Sequence, residues 1–193
     1  MLRALAPAAA AVMLAGCGIN SVPTAEENAK ARWADVQAAY QRRADLIPNL
    51  VATVKGAARA ENETLTNVIN ARARATQVQV TADQLDDPAR VQAFQQAQGQ
   101  LSSSLGRLLV SVERYPQLQS QGNFATLMSQ LEGTENRINI AVRDYNQAVQ
   151  EYNTRIRTFP DAIGARVIHG AQPLTPFQAV TPGAERAPQV DFS

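Results

Sequence analysis

Cysteine and histidine each occur once in the 193 residues, as Cys17 and His169. One cysteine excludes an intramolecular disulfide. One histidine excludes the paired Glu-x-x-His motifs of a di-iron helical bundle. It also leaves Cys–His and Ser–His catalysis without a base in the body of the chain. No GxGxxG or GxxxxGK[ST] pattern is present, so the usual phosphate cradles are missing. The net charge is +1, with no concentrated basic face, which removes the electrostatic case for nucleic acid as a partner. Aromatics make up only 5 % of the chain. The apolar run at the N-terminus, from Ala4 to Ala15, falls short of the ~20 residues that a helix needs to cross a bilayer.

What is present favours helices. Apolar residues account for 45 % of the chain, and Ala and Gln are abundant. Ala and straight-chain residues lose little freedom in a helix. The length suits one domain with ends.

The N-terminus reads MLRALAPAAAAVMLAGC. Arg3 supplies a basic start, Ala4–Ala15 an apolar segment, and Leu14-Ala15-Gly16-Cys17 a small-residue cleavage site of lipobox type. The reading is a lipoprotein signal peptide over 1–16, with Cys17 acylated and a tether over 17–25. The blander alternatives are an ordinary signal peptide or a buried helix with a chance cysteine. Each acyl CH2 buried contributes ~0.8 kcal/mol, so several chains anchor stably. Gly18, not Asp, follows Cys17. The expected location is the cell membrane or outer membrane, lipid-anchored, facing the periplasm or the exterior.

From Glu26 onward, apolar residues recur at steps of three and four: Trp33, Val36, Tyr40, Ala44, Ile47, Val51 and Val54, then Leu65, Val68 and Ile69. TADQLDDP (81–88) is a break, with Asp87 placed to cap a helix that starts at Pro88. A second run, from Val91 to Tyr115, stops at Pro116. A third runs from Leu127 to Ile156 and stops before Pro160. Residues 160–193 hold five of the ten prolines and three of the ten glycines, a helical turn or two and then an extended tail. Phe177, Val190 and Phe192 give that tail apolar groups to dock with; a disordered tail is the alternative.

Pro48 poses the main architectural question. A single helix over 26–79 would be ~80 Å long, far longer than the later ones. A proline inside a helix costs ~3 kcal/mol, but little in a first turn. Asp45 is of N-cap type. ADLIP therefore reads as a corner that divides the first run into two rods. The rival is a continuous kinked helix, because the apolar phase survives across Pro48. With the corner, the expected fold is all-α: an antiparallel four-helix bundle over 26–170, with a Pro/Gly-rich tail over 171–193.

Arg42, Asp45 and Asn49 share one helical face, and either fasten the corner or form a docking patch. Glu132, Asn139, Asn146 and Asn153 recur every seven residues beside Ile138, Tyr145 and Tyr152. A buried polar ladder of this kind fixes register between helices; the alternative is a ligand groove. Glu135, Asn136 and Arg137 flank the ladder, and an ion pair from Glu135 to Arg42 or Arg43 is within reach. The acidic pairs Asp86/Asp87 and Glu132/Glu135 read as caps and surface charges.

Two stretches carry a family resemblance. RRADLIPNLVATVKG (42–56) resembles a signature of the LemA family, bacterial membrane-associated helical proteins. VERYPQLQSQGNFATLMSQLEGTENRINIAVRDYNQAVQEYNTRIRTFP (112–160) matches the family in order and length, and the closing PQVDF is similar to its C-termini. The resemblance implies a four-helix bundle, often membrane-tethered, with no established enzymatic activity. The expectation is a non-enzymatic interaction or scaffold protein of the cell envelope, with a protein partner and with neither cofactor nor metal. The alternative is a binder of a small ligand or envelope component through the Asn/Tyr stripe.

Overall fold

The structure, a computed structural model, describes residues 2–57 and 62–178, with side chains described for 20–56 and 62–178. Every regular element among the described residues is helical. The chain runs as α1 (Leu2–Ala57), α2 (Asn62–Gln77), a 3-10 turn (Ala82–Gln84), α3 (Pro88–Val112), α4 (Pro116–Gln119), α5 (Gly122–Arg155), α6 (Asp161–Gly164) and a π turn (Ala165–His169). The acyl-anchor and cleavage residues, Cys17 among them, fall where side chains lie outside the described residues. No described helix is long and apolar enough to cross a membrane.

α1 passes straight through Pro48, so the corner expected there is corrected. Two observations explain why. First, Val22, Ala25, Ala29, Trp33, Val36, Tyr40, Arg43, Ile47, Leu50 and Val54 keep a three–four rhythm across the proline, and all are buried. Second, the backbone defect is repaired from another helix. Proline has no N–H to give to the carbonyl four residues back, here that of Ala44. Arg72 of α2 donates its Nε–H to that oxygen at 2.8 Å. Asp45 caps nothing; it is exposed and accepts a hydrogen bond from Gln41 at 2.7 Å. The tether expected over 17–25 is likewise helical, and Val22 and Ala25 are buried in the core. They extend the seam of α1 by two more steps, and this outweighs the polar composition around them.

The Arg72–Ala44 and Trp33–Val80 contacts bring the chain from α2 onward back alongside α1 in the antiparallel sense. α3 starts as expected: Asp87 Oδ1 accepts from the N–H groups of Ala89 and Arg90 at 3.0 and 3.4 Å, with Pro88 in the first turn. α1 packs against both α2 and α5, and α2 packs against α3. Gly170, at φ 56°, turns the chain out of the π turn; the left-handed region favours glycine. Residues 171–178 then run back along α5 without helical structure.

The core has two parts. The lower part joins Val22–Tyr40 of α1, Val80, Leu85, the start of α3, Ile138–Ile156, Ala165, Leu174 and Phe177. The upper part joins Ile47–Val54, the α2 residues Leu65, Val68, Ala71 and Ala75, the rest of α3, Leu118, Phe124 and Leu131. α2 contributes only to the upper part, and the tail only to the lower.

Candidate functional site

A charged residue sits between the two cores. Arg43 is only 3 % exposed because it occupies a seam position of α1, between Tyr40 and Ile47. Its Nη1 donates to Ser102 Oγ at 2.8 Å and to Glu135 Oε2 at 3.3 Å. Its Nη2 donates to Gln98 Oε1 at 2.9 Å and to the Gln98 carbonyl at 3.3 Å. The guanidinium carbon lies 4.9 Å from the Tyr40 ring centroid, a cation–π distance. Gln98 in turn donates to the Ala75 carbonyl at 3.2 Å. One side chain of α1 thus ties together α3 and α5, and through Gln98 also α2. Burial lowers the Arg43 pKa, and Glu135 and Tyr40 oppose that shift. Burial also pushes the Tyr40 hydroxyl up to about 12. The Glu135 carboxylate is half exposed, so solvent screens its half of the ion pair.

The choice between Arg42 and Arg43 is thereby resolved for Arg43. Arg42, Asp45, Pro48 and Asn49 are all exposed on α1. Glu132, Asn136, Arg137 and Asn139 are exposed on α5. The polar ladder therefore does not run the length of α5 between helices. Its upper half faces out, and its lower half grips the tail.

That grip is specific in register. The Asn146 side chain donates to the Phe177 carbonyl at 2.8 Å and accepts from the Phe177 N–H at 2.7 Å. Asn153 does the same with Leu174, at 2.8 and 2.9 Å. Each amide makes the pair of bonds that a neighbouring strand would make. Seven helical residues rise about 10 Å, and three residues of extended chain span about the same. A heptad of asparagines therefore matches every third residue of a strap lying on it. The Tyr145 hydroxyl donates to the Thr175 carbonyl at 2.8 Å, and the Thr175 N–H donates to the Leu85 carbonyl at 2.8 Å. Burial raises the pKa of Tyr145. Phe177 closes a ring cluster: its centroid is 6.0 Å from Tyr40 and 6.4 Å from both Trp33 and Phe94. Trp33 lies 5.1 Å from Tyr145 and donates its indole N–H to the Val80 carbonyl at 2.8 Å. Val190 and Phe192 lie outside the described residues.

Ligand binding at the Asn/Tyr stripe would require this strap to leave, since Tyr145 is fully buried beneath it. A wide groove lies elsewhere, between α2 and α3. It measures about 700 Å³ and is lined by Asn67, Asn70, Arg74, Gln100, Ser103 and Arg107 among others. The sequence reading did not single out those residues. Asp87 is spent on a helix cap and Glu135 on Arg43, while Asp86 and Glu132 are exposed surface charges. His169 lies at the mouth of a small groove beside Asp83, Asp86 and Tyr152. No group of three or more His, Cys, Asp and Glu side chains among the described residues is arranged to hold a metal.

The comparisons with known proteins agree with the signature. The family model described as LemA family matches residues 32–192. Magnetosome protein MamQ 2 of Paramagnetospirillum magneticum is 27 % identical over 157 residues, which covers 73 % of this chain and 58 % of that protein. Magnetosome protein MamQ of Magnetospirillum gryphiswaldense is 26 % identical over the same shares. Protein LemA of Metamycoplasma hominis is 26 % identical over 124 residues, covering 64 % of this chain and 52 % of that one. The chain thus spans a little over half the length of these curated relatives, and none of their names denotes an enzyme. With Arg43 and Glu135 of the two signature stretches in contact and the family model spanning most of the chain, this protein belongs to the LemA family.

Proposed function

We propose that this protein is a lipid-anchored, antiparallel four-helix bundle that serves the bacterial cell envelope as a non-enzymatic interaction scaffold. The observation that carries the reading is how the signature residues divide. Arg43, Glu135, Asn146 and Asn153 are used to build the fold itself. Arg42, Asp45, Asn49, Glu132, Asn136, Arg137 and Asn139 are exposed on the adjacent helices α1 and α5, near the level that the Arg43–Glu135 contact sets. They form a polar surface for a protein partner. Membership of the LemA family supports association with a membrane, and the Leu14–Cys17 lipobox supplies an anchor.

Two measurements test this. Photo-crosslinking residues placed at Arg42 and Asn139 in membrane-bound protein should each trap the same discrete partner, identified by mass. No adduct above background from either position contradicts the scaffold role. Cys17→Ser should abolish incorporation of labelled palmitate into the protein; labelling that persists in the variant, or is absent from the wild type, contradicts the acyl anchor.

A further inference from the structure

Large apolar side chains that face solvent are scattered over most of the described surface, as with Ile69, Val110 and Ile140. One place breaks the pattern. Within ten residues, Phe159 is 73 % exposed, Ile163 60 %, Val167 79 % and Ile168 57 %. They belong to α6, the π turn and the link that enters them from α5. Isolated exposed apolar residues need no explanation, but a contiguous set marks a surface that meets something apolar.

The position of this set in the fold says what it meets. Both α6 and the π turn pack against α1. Glu26 and Lys30 of α1 line one groove with His169 and Gly170, and Val22 and Ala25 share a core cluster with Ile156 and Ala165, so the exposed set lies beside the lower end of α1. Cys17 precedes Val22 by five residues, all within α1, a rise of only about 8 Å. The patch thus sits at the end of the molecule nearest the lipobox cysteine. Its charges match a bilayer surface as well. Arg157 and Arg166 are exposed beside it, without an ion-pair partner among the described residues. Nearby, Arg155 pairs with Glu151 at 2.8 Å and lies 3.8 Å from Asp161, so these three side chains together carry one negative charge against the two positive charges of Arg157 and Arg166. Apolar side chains flanked by arginines are the composition of an interfacial segment. The rings and branched chains enter the acyl boundary, and the guanidinium groups stay with anionic headgroups.

We propose that Phe159, Ile163, Val167 and Ile168 insert into the interface of a membrane containing anionic lipid, forming a second contact that holds the bundle upright beside its acyl anchor. A single lipid tether leaves a domain free to tilt. A wedge with four apolar side chains fixes its base against the bilayer and points the Arg42 and Asn139 faces away from it. The orientation of the wedge rests on the anchored reading above; the insertion itself does not require Cys17.

The test therefore uses full-length protein carrying Cys17→Ser, so that acylation is absent. A single environment-sensitive label is attached after Val167→Cys or, as a control, after Val110→Cys. Vesicles are phosphatidylcholine alone or mixed with phosphatidylglycerol, with brominated acyl chains as quencher. The expected result is a blue shift and strong quenching at 167 on the phosphatidylglycerol vesicles, little on phosphatidylcholine, and neither at 110. Adding Phe159→Ser and Ile163→Ser, both outward-facing, should weaken the response at 167 about tenfold. A water-exposed label at 167 on anionic vesicles overturns the proposal. So does quenching that the serine pair leaves unchanged, which would assign the contact to the leader. A blue shift that needs no vesicles and grows with protein concentration assigns the face to a second copy and overturns it as well. Failure of the anchor shows separately, as a wild-type protein that takes up no labelled palmitate.

Discussion

The upper and lower halves of this molecule solve the same packing problem with different parts. Above Arg43, helix α2 lays Leu65, Val68, Ala71 and Ala75 onto an aliphatic core in which Phe124 is the buried ring. Below Arg43, α2 has ended. The remaining side is closed by the 78–85 connection and by the tail, with Leu174 and Phe177 set among Trp33, Tyr40, Phe94, Tyr145 and Tyr152. A helix satisfies its own backbone, whereas a strap without helical structure does not. The lower half therefore needs Asn146, Asn153 and Tyr145 to bond the strap's peptide groups. The contrast teaches that the Asn/Tyr repeat is the backbone partner that a non-helical wall requires.

The largest expected effect falls on the layer between the halves. Arg43→Ala should cost about 3–4 kcal/mol, since Gln98 Oε1 and Ser102 Oγ lose the guanidinium donor they accept from and a void opens that joins both cores. Arg43→Met should recover much of that loss, because its stem refills the seam; urea midpoints of the two variants check this. Next comes the lower half alone. Asn146→Ala with Asn153→Ala should cost about 2–3 kcal/mol, as four strap hydrogen bonds are lost. That loss should be absent in a chain already lacking 171–193, a comparison that isolates the clamp from any effect on α5.

A smaller effect follows from pH. Tyr40, held near 12, and Tyr145, raised by burial, both favour the protonated phenol in the folded state. Their stabilisation is complete below the unfolded phenol value of about 10 and is lost as pH rises through the folded values. Urea midpoints should fall between about pH 10 and 12, and Tyr40→Phe should flatten that slope. The smallest effect belongs to the upper half. Arg72→Met should cost about 1 kcal/mol by leaving the Ala44 carbonyl without its donor. In a Pro48→Ala background the same change should cost nearly nothing, because residue 48 then bonds Ala44 itself. A double-mutant cycle reads the difference.

Much of the fold was legible in the sequence. The three–four rhythm of α1, the Asp87–Pro88 start of α3 and the change of character after Phe159 all survive in the structure. The rest depended on distant partners. Pro48 reads locally as a corner because nothing near it shows that Arg72, twenty-four residues on, will take the orphaned carbonyl. GINSVPTA reads as a tether because its polar residues outnumber Val22 and Ala25, although those two continue the seam. Arg43 sits on the same rhythm as Tyr40 and Ile47; its charge, not its position, hid it. The heptad of asparagines was visible, but a repeat names a face and not its partner. The matching three-residue step of Leu174 and Phe177 becomes visible only once both segments are placed together.

The most direct measurement is residue-resolved hydrogen exchange on a chain ending at Gly170, beside the full chain. If the strap is the missing wall of the lower half, amides around Trp33–Tyr40 and Tyr145–Tyr152 should lose protection while those around Leu50–Val54 and Leu101–Leu108 keep most of theirs. Equal loss in both halves, or no loss in either, would contradict this.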